Sequence, residues 1–540
     1  MKTQTPAATV TSAPPPKQGR FDAREVELKF FLDDAAFKTA QQCALLGGPA
    51  THKAQRLRSV YFDTDRGDLW QQRTFLRMRS QRGKQLLAMK ADGADAANPL
   101  LRREIEVPSP SAQPDPALLG DAAAAEVMRL TEGRPLLPRF TTDIRRMVHW
   151  VMWRGSEIEA SFDTGCIAVG DARHPVRELE LELKSGNTAD LLGLGVALSD
   201  VAPIRLGVMS KGGRGMMLAS GAAPAAVRAN VQGSADYSVD DVIATTIGDC
   251  IRQFIGNWPA FEAADGPEAV HQMRVSMRRL RAVLAIFQRG FPCVEFGEFR
   301  GEAKRIASAM AEGRNWDVFA DLVRAGPAVA FKDEPGFEEL LRASGVHRAA
   351  GYEAVGGLLK DVATTRFVLS ALGFVARRGW RNSVAGAELR RLSAPAAEFA
   401  ALSLARLHRR VRKRGKHILD MSADDRHQLR VALKRLRYAT DFFGCLFANA
   451  SAVRGYARAS ARLQDILGTL NDTVMVTDLV RRLDLGDDPA SACACGIVIG
   501  WYGRGAGADA RDLHHAWDSF RDAKPFWNDA LPPEADDAAS

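Results

Sequence analysis

The run ELELELK, residues Glu178–Lys184, alternates charged and apolar side chains with a period of two. Because successive side chains of a strand point to opposite faces, the run predicts a β-strand with one charged face and one apolar face. The same alternation occurs near the start of the chain in REVELKF, residues Arg24–Phe30, where Glu25, Glu27 and Lys29 share a face. These two stretches predict that the N-terminal region is built from strands with a charged face.

Four further runs between these two stretches repeat the alternation. Their alternate positions hold Arg77 and Arg79, then Lys90, then Arg102, Glu104 and Glu106, then Glu157, Glu159 and Asp163. A sheet with one solvated face would explain any single strand. Across six strands, however, nearly every alternate position is Glu, Asp, Arg or Lys. Charges of both signs on one surface favour the inside of a closed barrel, where carboxylates can hold metal ions and guanidinium groups can hold phosphate.

The charged positions fall into clusters of one sign that suit phosphate chemistry. The acidic clusters are Glu25/Glu27, Glu104/Glu106 and Glu178/Glu180/Glu182, and the basic ones are Lys29, Arg77/Arg79/Lys90 and Lys211/Arg214 of SKGGRG. Hard divalent cations take carboxylate and phosphate oxygens, and Arg binds phosphate bidentately. Since the sequence has neither a GxxxxGK[ST] loop nor an evident Ser-His-Asp or Cys-His set, these clusters predict metal-assisted phosphoryl transfer in a different phosphate cradle.

A second feature of the chain is a duplicated basic helix. HQMRVSMRRLR (His271–Arg281) and HQLRVALKRLR (His427–Arg437) are identical at seven of eleven positions and lie 156 residues apart. The spacing i, i+3, i+7, i+10 puts four cationic or cationisable side chains along one helix face, at His271, Arg274, Arg278 and Arg281 and at His427, Arg430, Lys434 and Arg437. Because a row of like charges destabilises a helix unless an anion faces it, the duplication predicts two helical bundles that bind a polyanion.

Composition limits the class of protein. The 540-residue chain carries a net charge of +8, and its seven cysteines are scattered, which predicts reduced thiols and no zinc site. No run reaches the roughly 18 apolar residues that span a bilayer, so we expect a cytoplasmic protein without a membrane segment. Changes of pattern predict a disordered tail at 1–20, a strand-rich domain at 21–220, a linker at 221–237, a helical domain at 238–527 with repeats at about 238–392 and 393–527, and a disordered tail at 528–540.

The order of these motifs resembles that of known families. The ExExK, RxR, ELELELK and SKxxRG elements resemble the CYTH domain, the triphosphate tunnel metalloenzyme fold, over residues 21–220. The twin helices, RNWDV, LNDTV and GWYGRG…AWDSF…AKPFW resemble the CHAD domain over residues 238–527. The resemblance implies an α+β multidomain protein, in which an eight-stranded antiparallel β-barrel precedes an all-α domain of two repeated helical bundles. It also implies a triphosphate-binding tunnel with Mg²⁺ or Mn²⁺, and an association with polyphosphate.

The resemblance also implies roles for the matching residues. Glu25, Glu27 and Lys29 would be catalytic, with the two carboxylates holding the metal or orienting the attacking water. Metal would be held by Glu25, Glu27, Glu104, Glu106, Asp163, Glu178, Glu180 and Glu182. Triphosphate would be held by Lys29, Arg77, Arg79, Lys90, Arg102, Arg146, Lys184, Lys211 and Arg214. Arg145 lies next to Arg146, and a one-residue slip of the strand would exchange their faces.

The leading hypothesis is therefore a metal-dependent inorganic triphosphatase that hydrolyses tripolyphosphate to pyrophosphate and phosphate. The twin helices would bind polyphosphate, and the protein could associate with polyphosphate granules. One alternative is an enzyme that processes a nucleoside or thiamine triphosphate, including an adenylate cyclase. Another is a non-catalytic protein of polyphosphate granules. We do not expect nucleic acid as a partner, because no groove-reading module or stacking aromatic set accompanies the basic face.

Overall fold

The computed structural model of the protein describes residues 24–47, 54–92, 101–264, 266–485, 488–508 and 510–532, without the side chains of residues 92, 101, 102, 423, 470–473 and 504–510. The chain forms two compact units, and each draws on more than one stretch of sequence. The first unit contains the chain up to Ala226 together with Ile255–Ala264 and Leu359–Arg377. The second contains Val227–Phe254, Asp265–Leu358 and the chain from Arg378 onward.

The first unit is built on an antiparallel sheet. Within the described ranges its nine strands are β1 Arg24–Phe31, β2 Gln55–Asp63, β3 Thr74–Gln81, β4 Lys84–Asp92, β5 Leu101–Ser109, β6 Leu137–Trp153, β7 Ser156–Val169, β8 Ala172–Ser185 and β9 Arg205–Leu206. They are ordered β5-β4-β3-β2-β6-β7-β8-β1-β9. The first strand in that order, β5, also pairs with β1, at Arg24↔Arg103 and the two following pairs. A mixed α+β chain, with the sheet first and helices after it, is therefore confirmed.

The helices follow in chain order. They are α1 Asp34–Gln41, α2 Asp68–Gln71, α3 Asp121–Thr131, α4 Thr188–Leu198, α5 Lys211–Ser220, α6 Val239–Gly256, α7 Trp258–Ala264, α8 Pro267–Gly290, α9 Val294–Ala309, α10 Ala311–Ala325, α11 Pro327–Ala330, α12 Gly336–Lys360, α13 Val362–Ala376, α14 Gly386–Ser393, α15 Ala396–Arg414, α16 Ala423–Phe443, α17 Ala450–Val480, α18 Pro489–Ala508 and α19 Ala510–Arg521. No helix in the described part of the chain has both the length and the apolarity needed to cross a bilayer.

The strand register gathers the charged side chains on one face. Lys29 of β1 lies opposite Glu180 of β8, and Glu27 lies opposite Glu182. The apolar residues that alternate with them are fully buried, as at Leu28. The period-two alternation therefore separates a charged face from an apolar face, and burial of the apolar face stabilises the sheet.

Helices cover the apolar face of the sheet. Val127 of α3 packs with Leu76 of β3 and Met89 of β4 in one core cluster. Gly195 of α4 has Leu369 of α13 and Phe30 of β1 so close that an added Cβ would lie 3.1 and 3.2 Å from them. Helix α13 thus belongs to the first unit although its sequence lies far from the strands.

The twin helices are α8 and α16 of the second unit. Helix α8 starts with Pro267 at its first turn, where a missing N–H costs nothing, and α16 is capped by Ser422, whose side chain accepts from the Asp425 N–H. Their apolar stripes are buried, as at Met277 and Leu433, which have no exposed surface. This burial leaves most basic residues of the two helices on the less buried face, whereas Arg279 of α8 is buried.

Candidate active site and anion pocket

The charged face of the sheet lines a cavity of about 930 Å³ in the first unit. Among the described residues, eight basic and eight acidic side chains line it. The basic ones are Lys29, Arg77, Arg79, Arg82, Lys90, Arg146, Lys184 and Lys211. The acidic ones are Glu25, Glu27, Glu104, Glu106, Glu159, Asp163, Glu180 and Glu182. Because the positive and negative charges of the lining are equal in number, a polyanion together with its counter-cations would leave the cavity close to neutral.

Lys90 is the centre of the charge network on the β1, β4 and β5 side. Its Nζ lies 2.8 Å from Glu25 Oε2 and 2.6 Å from Glu104 Oε2, and Arg77 donates to Glu104 at 2.9 Å. Burial, helped by the neighbouring carboxylates, raises the pKa of Glu25 well above its usual range. Burial acts in the same direction on Glu104, but Lys90 and Arg77 prevail and lower the pKa of that carboxyl. Two adjacent carboxyls therefore differ in proton affinity, as acid–base chemistry requires.

Three carboxylates of β7 and β8 form a second cluster, and two of them, Asp163 and Glu180, line the cavity. Oxygens of Asp163, Glu178 and Glu180 lie within 4.8 Å of one another, and none of the three side chains is more than 12% exposed. Lys211 contacts all three, at 2.8 Å from Asp163, 3.0 Å from Glu180 and in a short contact with Glu178. Arg146 forms a bidentate pair with Asp163 at 2.8 and 2.6 Å.

These cations decide the ionisation of the carboxylates. Burial by itself would raise the pKa of Asp163 and of Glu180, but Lys211 and Arg146 lower both. Burial is the largest single effect on Lys211 and lowers its pKa. The three carboxylates together outweigh burial, so the pKa of Lys211 is raised. The lowered pKa values of Asp163 and Glu180 favour their ionised forms. Hard divalent cations such as Mg²⁺ take carboxylate oxygens, so the three-carboxylate set is suitable for the metal that the sequence implies.

Two arginines of β3 have N–H donors that form no hydrogen bond with the described residues. The Nε atoms of Arg77 and Arg79 are buried without a hydrogen-bond partner in the described part of the chain. Arg79 meets its nearest carboxylate, Glu106, only at 3.3 Å, and burial together with Arg77 lowers its pKa. A buried unsatisfied donor costs free energy, so both side chains are prepared to receive an anion.

The SKGGRG element explains how Lys211 reaches the cavity. Ser210 caps α5 by accepting from the Gly213 N–H, which leaves Lys211 as the first residue of the helix. An added Cβ at Gly215 would lie 2.1 Å from Phe140 of β6. Gly215 therefore lets α5 lie directly on the strands. As a result Lys211, the first residue of α5, reaches the cavity.

The predicted residues are mostly brought together. Fourteen of them line the cavity within the described side chains: Glu25, Glu27, Lys29, Arg77, Arg79, Lys90, Glu104, Glu106, Arg146, Asp163, Glu180, Glu182, Lys184 and Lys211. Glu178 and Arg214 lie outside the lining and pair with each other, and Glu178 also pairs with Lys211. Arg146 points inward whereas Arg145 is exposed, which decides between them. The side chain of Arg102 lies outside the described residues.

Sequence reasoning assigned no role to Glu159, which lines the cavity and pairs with Lys184 at 3.3 Å. Its position in the alternation of β7 was the signal that could have identified it. Tyr61 and Ser59 of β2 also line the cavity. The alternating charges of β2, Arg56 and Arg58, lie on its other face and pair with Asp143, so no charge pattern marked the cavity side of this strand. Five predicted metal residues, Glu25, Glu27, Glu104, Glu106 and Glu182, are not part of the three-carboxylate cluster in the described structure.

The second unit has a pocket of about 530 Å³ between α8, α9, α15 and α16. Its described lining holds eight basic residues and no acidic one. The basic residues are Arg278, Arg281, Arg289, Arg300, Arg406, Arg410, Lys434 and Arg435. Three of them belong to the predicted anion-binding set of the twin helices, namely Arg278, Arg281 and Lys434. The other five were not predicted individually, although the run from Arg406 to Arg437 is rich in Lys and Arg.

The remaining predicted basic residues lie apart from this pocket lining. Burial, with Arg314 and other arginines, lowers the pKa of His271, and burial with Arg278 lowers that of Arg274 to about 10. His427, Arg430 and Arg437 of α16 do not line the pocket. His271 and Arg274 therefore sit in a crowded cationic environment that a bound anion would relieve.

Equivalent positions of the two helices have different tasks. Arg279 of α8 is 2% exposed and donates to Asp249 at 2.9 Å and to Gln253 at 2.7 Å. Arg435, the residue 156 positions later, is exposed and lines the pocket. Equivalent positions of the sequence repeat thus hold one arginine that is bonded within the core and one that lines the pocket.

Two family models match successive stretches of the chain. The model of the CYTH domain matches residues 23–210, and the model of the CHAD domain matches residues 245–481. The chain therefore carries a CYTH domain followed by a CHAD domain.

Three relatives illustrate the similarity. The inorganic triphosphatase of Haemophilus influenzae is 31% identical over 198 residues, which cover 36% of this chain and 55% of the relative. An uncharacterized protein of Mycobacterium tuberculosis is 26% identical over 327 residues, or 55% of this chain and 58% of its own. The alignments thus span little more than half the length of these relatives. The crystal structure of the CHAD domain from the plant Ricinus communis is 26% identical, covers 56% of this chain and 98% of its own, and superposes with a TM-score of 0.48.

Proposed function

We propose that the first unit is a metal-dependent inorganic triphosphatase that hydrolyses tripolyphosphate to pyrophosphate and phosphate. The observation that carries this proposal is the cavity lined by eight cations and eight carboxylates of the described residues, with buried guanidinium donors left unused. A triphosphate offers many anionic oxygens in a row, which is what such donors bind. The name of the 31%-identical relative, an inorganic triphosphatase, supports the same activity.

The proposal includes a closed tunnel of eight strands. The pairing of β5 with β1 joins the two sides of the sheet order and supports closure, with β9 as an additional edge strand on β1. Closure would place the clusters of β1, β3, β5 and β8 around one shared interior. A barrel of eight strands leaves an interior about wide enough for side chains or one small ligand.

We assign the binding step to an exchange of partners. In the described structure Lys211 and Arg146 neutralise Asp163 and Glu180. Phosphate oxygens would draw these two cations away and leave the carboxylates free to hold Mg²⁺ or Mn²⁺ together with Glu178. When bound, such a metal neutralises charge that builds up on the phosphate oxygens.

Glu25 and Glu27 are assigned to the attacking water, with Lys29 as a positioning and neutralising group. The raised pKa of Glu25, caused first by burial, makes its carboxylate a stronger proton acceptor than an ordinary glutamate. Lys29 Nζ lies 2.5 Å from Glu27 and 3.2 Å from Glu180, so one ammonium holds carboxylates from β1 and β8 in place.

The test of this activity is phosphate release from tripolyphosphate, ATP and long-chain polyphosphate by the full chain at equal concentrations. We expect release with Mg²⁺ or Mn²⁺, fastest from tripolyphosphate, and none after chelation with EDTA, because the cavity carboxylates and the phosphate oxygens are all anionic and repel each other unless a metal ion lies between them. Absence of release from tripolyphosphate with either metal would contradict the proposal. Faster release from ATP would favour the nucleoside triphosphate alternative.

We further propose that the second unit binds longer polyphosphate on the basic residues of α8 and α16, and that the protein associates with polyphosphate granules. The pocket lining of eight described cations without a carboxylate supports an anionic ligand. Since these residues offer no nucleophile and carboxylate set in the described structure, we assign binding and not hydrolysis to this unit.

Replacing Arg281 and Lys434 together with Ala is expected to weaken polyphosphate binding about tenfold or more, and to reduce its salt dependence, because two cations that release counterions are lost. Binding is measured by titration of the full chain at several salt concentrations. The matched control is Arg305→Ala with Arg342→Ala, which removes equal charge from residues paired with Glu302 and Glu339 on the same unit. Equal affinity for duplex DNA at physiological salt would instead indicate a generic polyanion surface.

A further inference from the structure

The pocket between α8, α9, α15 and α16 has a floor and a rim of different chemistry. Its deeper residues are apolar or small: Ala282, Ala285, Ile286, Leu407 and Val431, with Tyr438 beside them. Ala282 and Ile286 are buried, whereas Arg289, Arg300, Arg406, Arg410 and Arg435 are exposed. A bare phosphate chain would contact the basic rim and leave the apolar floor uncovered, since each of its phosphates is charged. Ligand pockets of this size, in contrast, are typically apolar with a few placed polar groups.

The rim carries uncompensated positive charge. Six of its arginines, Arg278, Arg281, Arg289, Arg406, Arg410 and Arg435, form no ion pair with a carboxylate in the part of the chain that the structure describes. Burial, followed by the neighbouring arginines, lowers the pKa of Arg435 and of Arg281. Guanidinium groups that crowd one another in this way are stabilised when an anion with several charges enters between them.

One polar group lies at the floor itself. Ser403 of α15 is 1% exposed and lines the pocket, and its Oγ has no hydrogen-bond partner among the described residues. A buried hydroxyl without a partner is costly unless a ligand or water supplies one. A ligand on the floor would therefore bind more tightly if it placed a polar atom within hydrogen-bond distance of the Ser403 hydroxyl.

We propose that this pocket binds a nucleoside polyphosphate, with its phosphates on the arginine rim and its base on the apolar floor against Tyr438 and Ser403. A base has an apolar face that stacks on aromatic and guanidinium planes and a polar edge that hydrogen-bonds a hydroxyl. A lipid phosphate is a poorer match, because half of the sixteen lining residues are Arg or Lys and the few apolar ones offer little surface to an acyl chain. The inference rests on the proposed anion-binding role of the second unit and names a ligand class for its pocket.

The experiment is calorimetric titration of the full chain in EDTA with ATP, GTP, CTP, UTP and tripolyphosphate. The variant Arg281→Ala with Arg435→Ala removes two charges from the rim. Binding that the wild type shows and this variant lacks is assigned to the pocket, and binding that both show is assigned to the cavity of the first unit. At the pocket we expect the best nucleotide to bind about tenfold more tightly than tripolyphosphate. Ser403→Ala should weaken that nucleotide about fivefold and leave tripolyphosphate unchanged, because only the base reaches the hydroxyl.

Ser344→Ala is the matched control, since Ser344 is a buried serine of the same unit outside the pocket and its hydroxyl already donates to the Leu341 carbonyl. It should leave every affinity unchanged. The inference is overturned if no nucleotide binds the pocket more tightly than tripolyphosphate, or if Ser403→Ala affects both ligands equally. In that case rim-dependent binding of tripolyphosphate would still support the anion-binding role, whereas no rim-dependent binding of any ligand would reject both.

Discussion

Replacing Glu180 with Gln is expected to slow phosphate release from tripolyphosphate about 100-fold or more. The Glu180 carboxylate lies 3.2 Å from Lys29, 2.5 Å from Arg146 and 3.0 Å from Lys211, and it belongs to the three-carboxylate cluster. The neutral amide would leave three cations to repel one another and would remove an oxygen donor from the proposed metal site. Losing one charged group that stabilises a transition state commonly costs 10² to 10³ in rate.

This prediction is checked by steady-state phosphate release and by Mn²⁺ titration in the presence of tripolyphosphate. Glu132→Gln is the matched control, because Glu132 is an exposed carboxylate of the same unit that pairs with Arg134 away from the cavity. The control should retain wild-type rate and metal affinity. Wild-type rates for Glu180→Gln would contradict the assignment of this cavity as the catalytic site, whatever the activity of the whole protein.

Replacing Gly215 with Ala is expected to destabilise the first unit by about 3 kcal/mol and to abolish most of its activity. The new Cβ would lie 2.1 Å from a ring carbon of Phe140, which itself stacks on Tyr61 with ring centroids 4.4 Å apart. Since the ring is held on both sides, α5 must move away from the strands. Lys211 at the start of α5 would then leave the carboxylates that it neutralises.

Thermal unfolding and phosphate release measure this effect, and Gly193→Ala of α4 provides the comparison. Gly193 is also a helical glycine of the first unit, but an added Cβ there would meet only Trp153 at 3.7 Å, an ordinary contact. That variant should be as stable as the wild type or more so, because Ala favours the helix over Gly. A Gly215→Ala protein with unchanged stability would show that α5 does not need to lie so close to β6.

The strands could be predicted from the sequence because their alternation has one physical cause. Successive side chains of a strand point to opposite faces of the sheet. Since the Leu residues of ELELELK occupy the apolar face, its charged residues must lie on the other face, which is the cavity side. That reasoning found most of the charged residues of the cavity lining but not Tyr61 or Ser59, since the alternating charges of β2, Arg56 and Arg58, lie on the other face of that strand. Choosing Arg146 over Arg145 required the actual register, because the two residues differ only by which face they meet.

For the basic helices too, the sequence pattern identified only part of the site. Their repeat predicted cations on one helix face, and Arg278, Arg281 and Lys434 do line one pocket. The repeat could not show that Arg279 is buried against Asp249, nor that Arg300 of α9 and Arg406 of α15 join the pocket from other helices. It gave no sign of Ser403, a single serine in a basic helix.

The sequence by itself therefore determined the type and order of the two halves, and most of the charged residues that face the cavity, because periodicity and charge are local properties of a chain. Only the tertiary structure decided which carboxylates meet, how Lys211 enters among them, and that α13 packs on α4 in the unit that holds the sheet. These outcomes depend on contacts between residues far apart in sequence, as where Leu369 and Phe30 both lie against Gly195. Such contacts are fixed by close packing and strand register, and no local pattern records them.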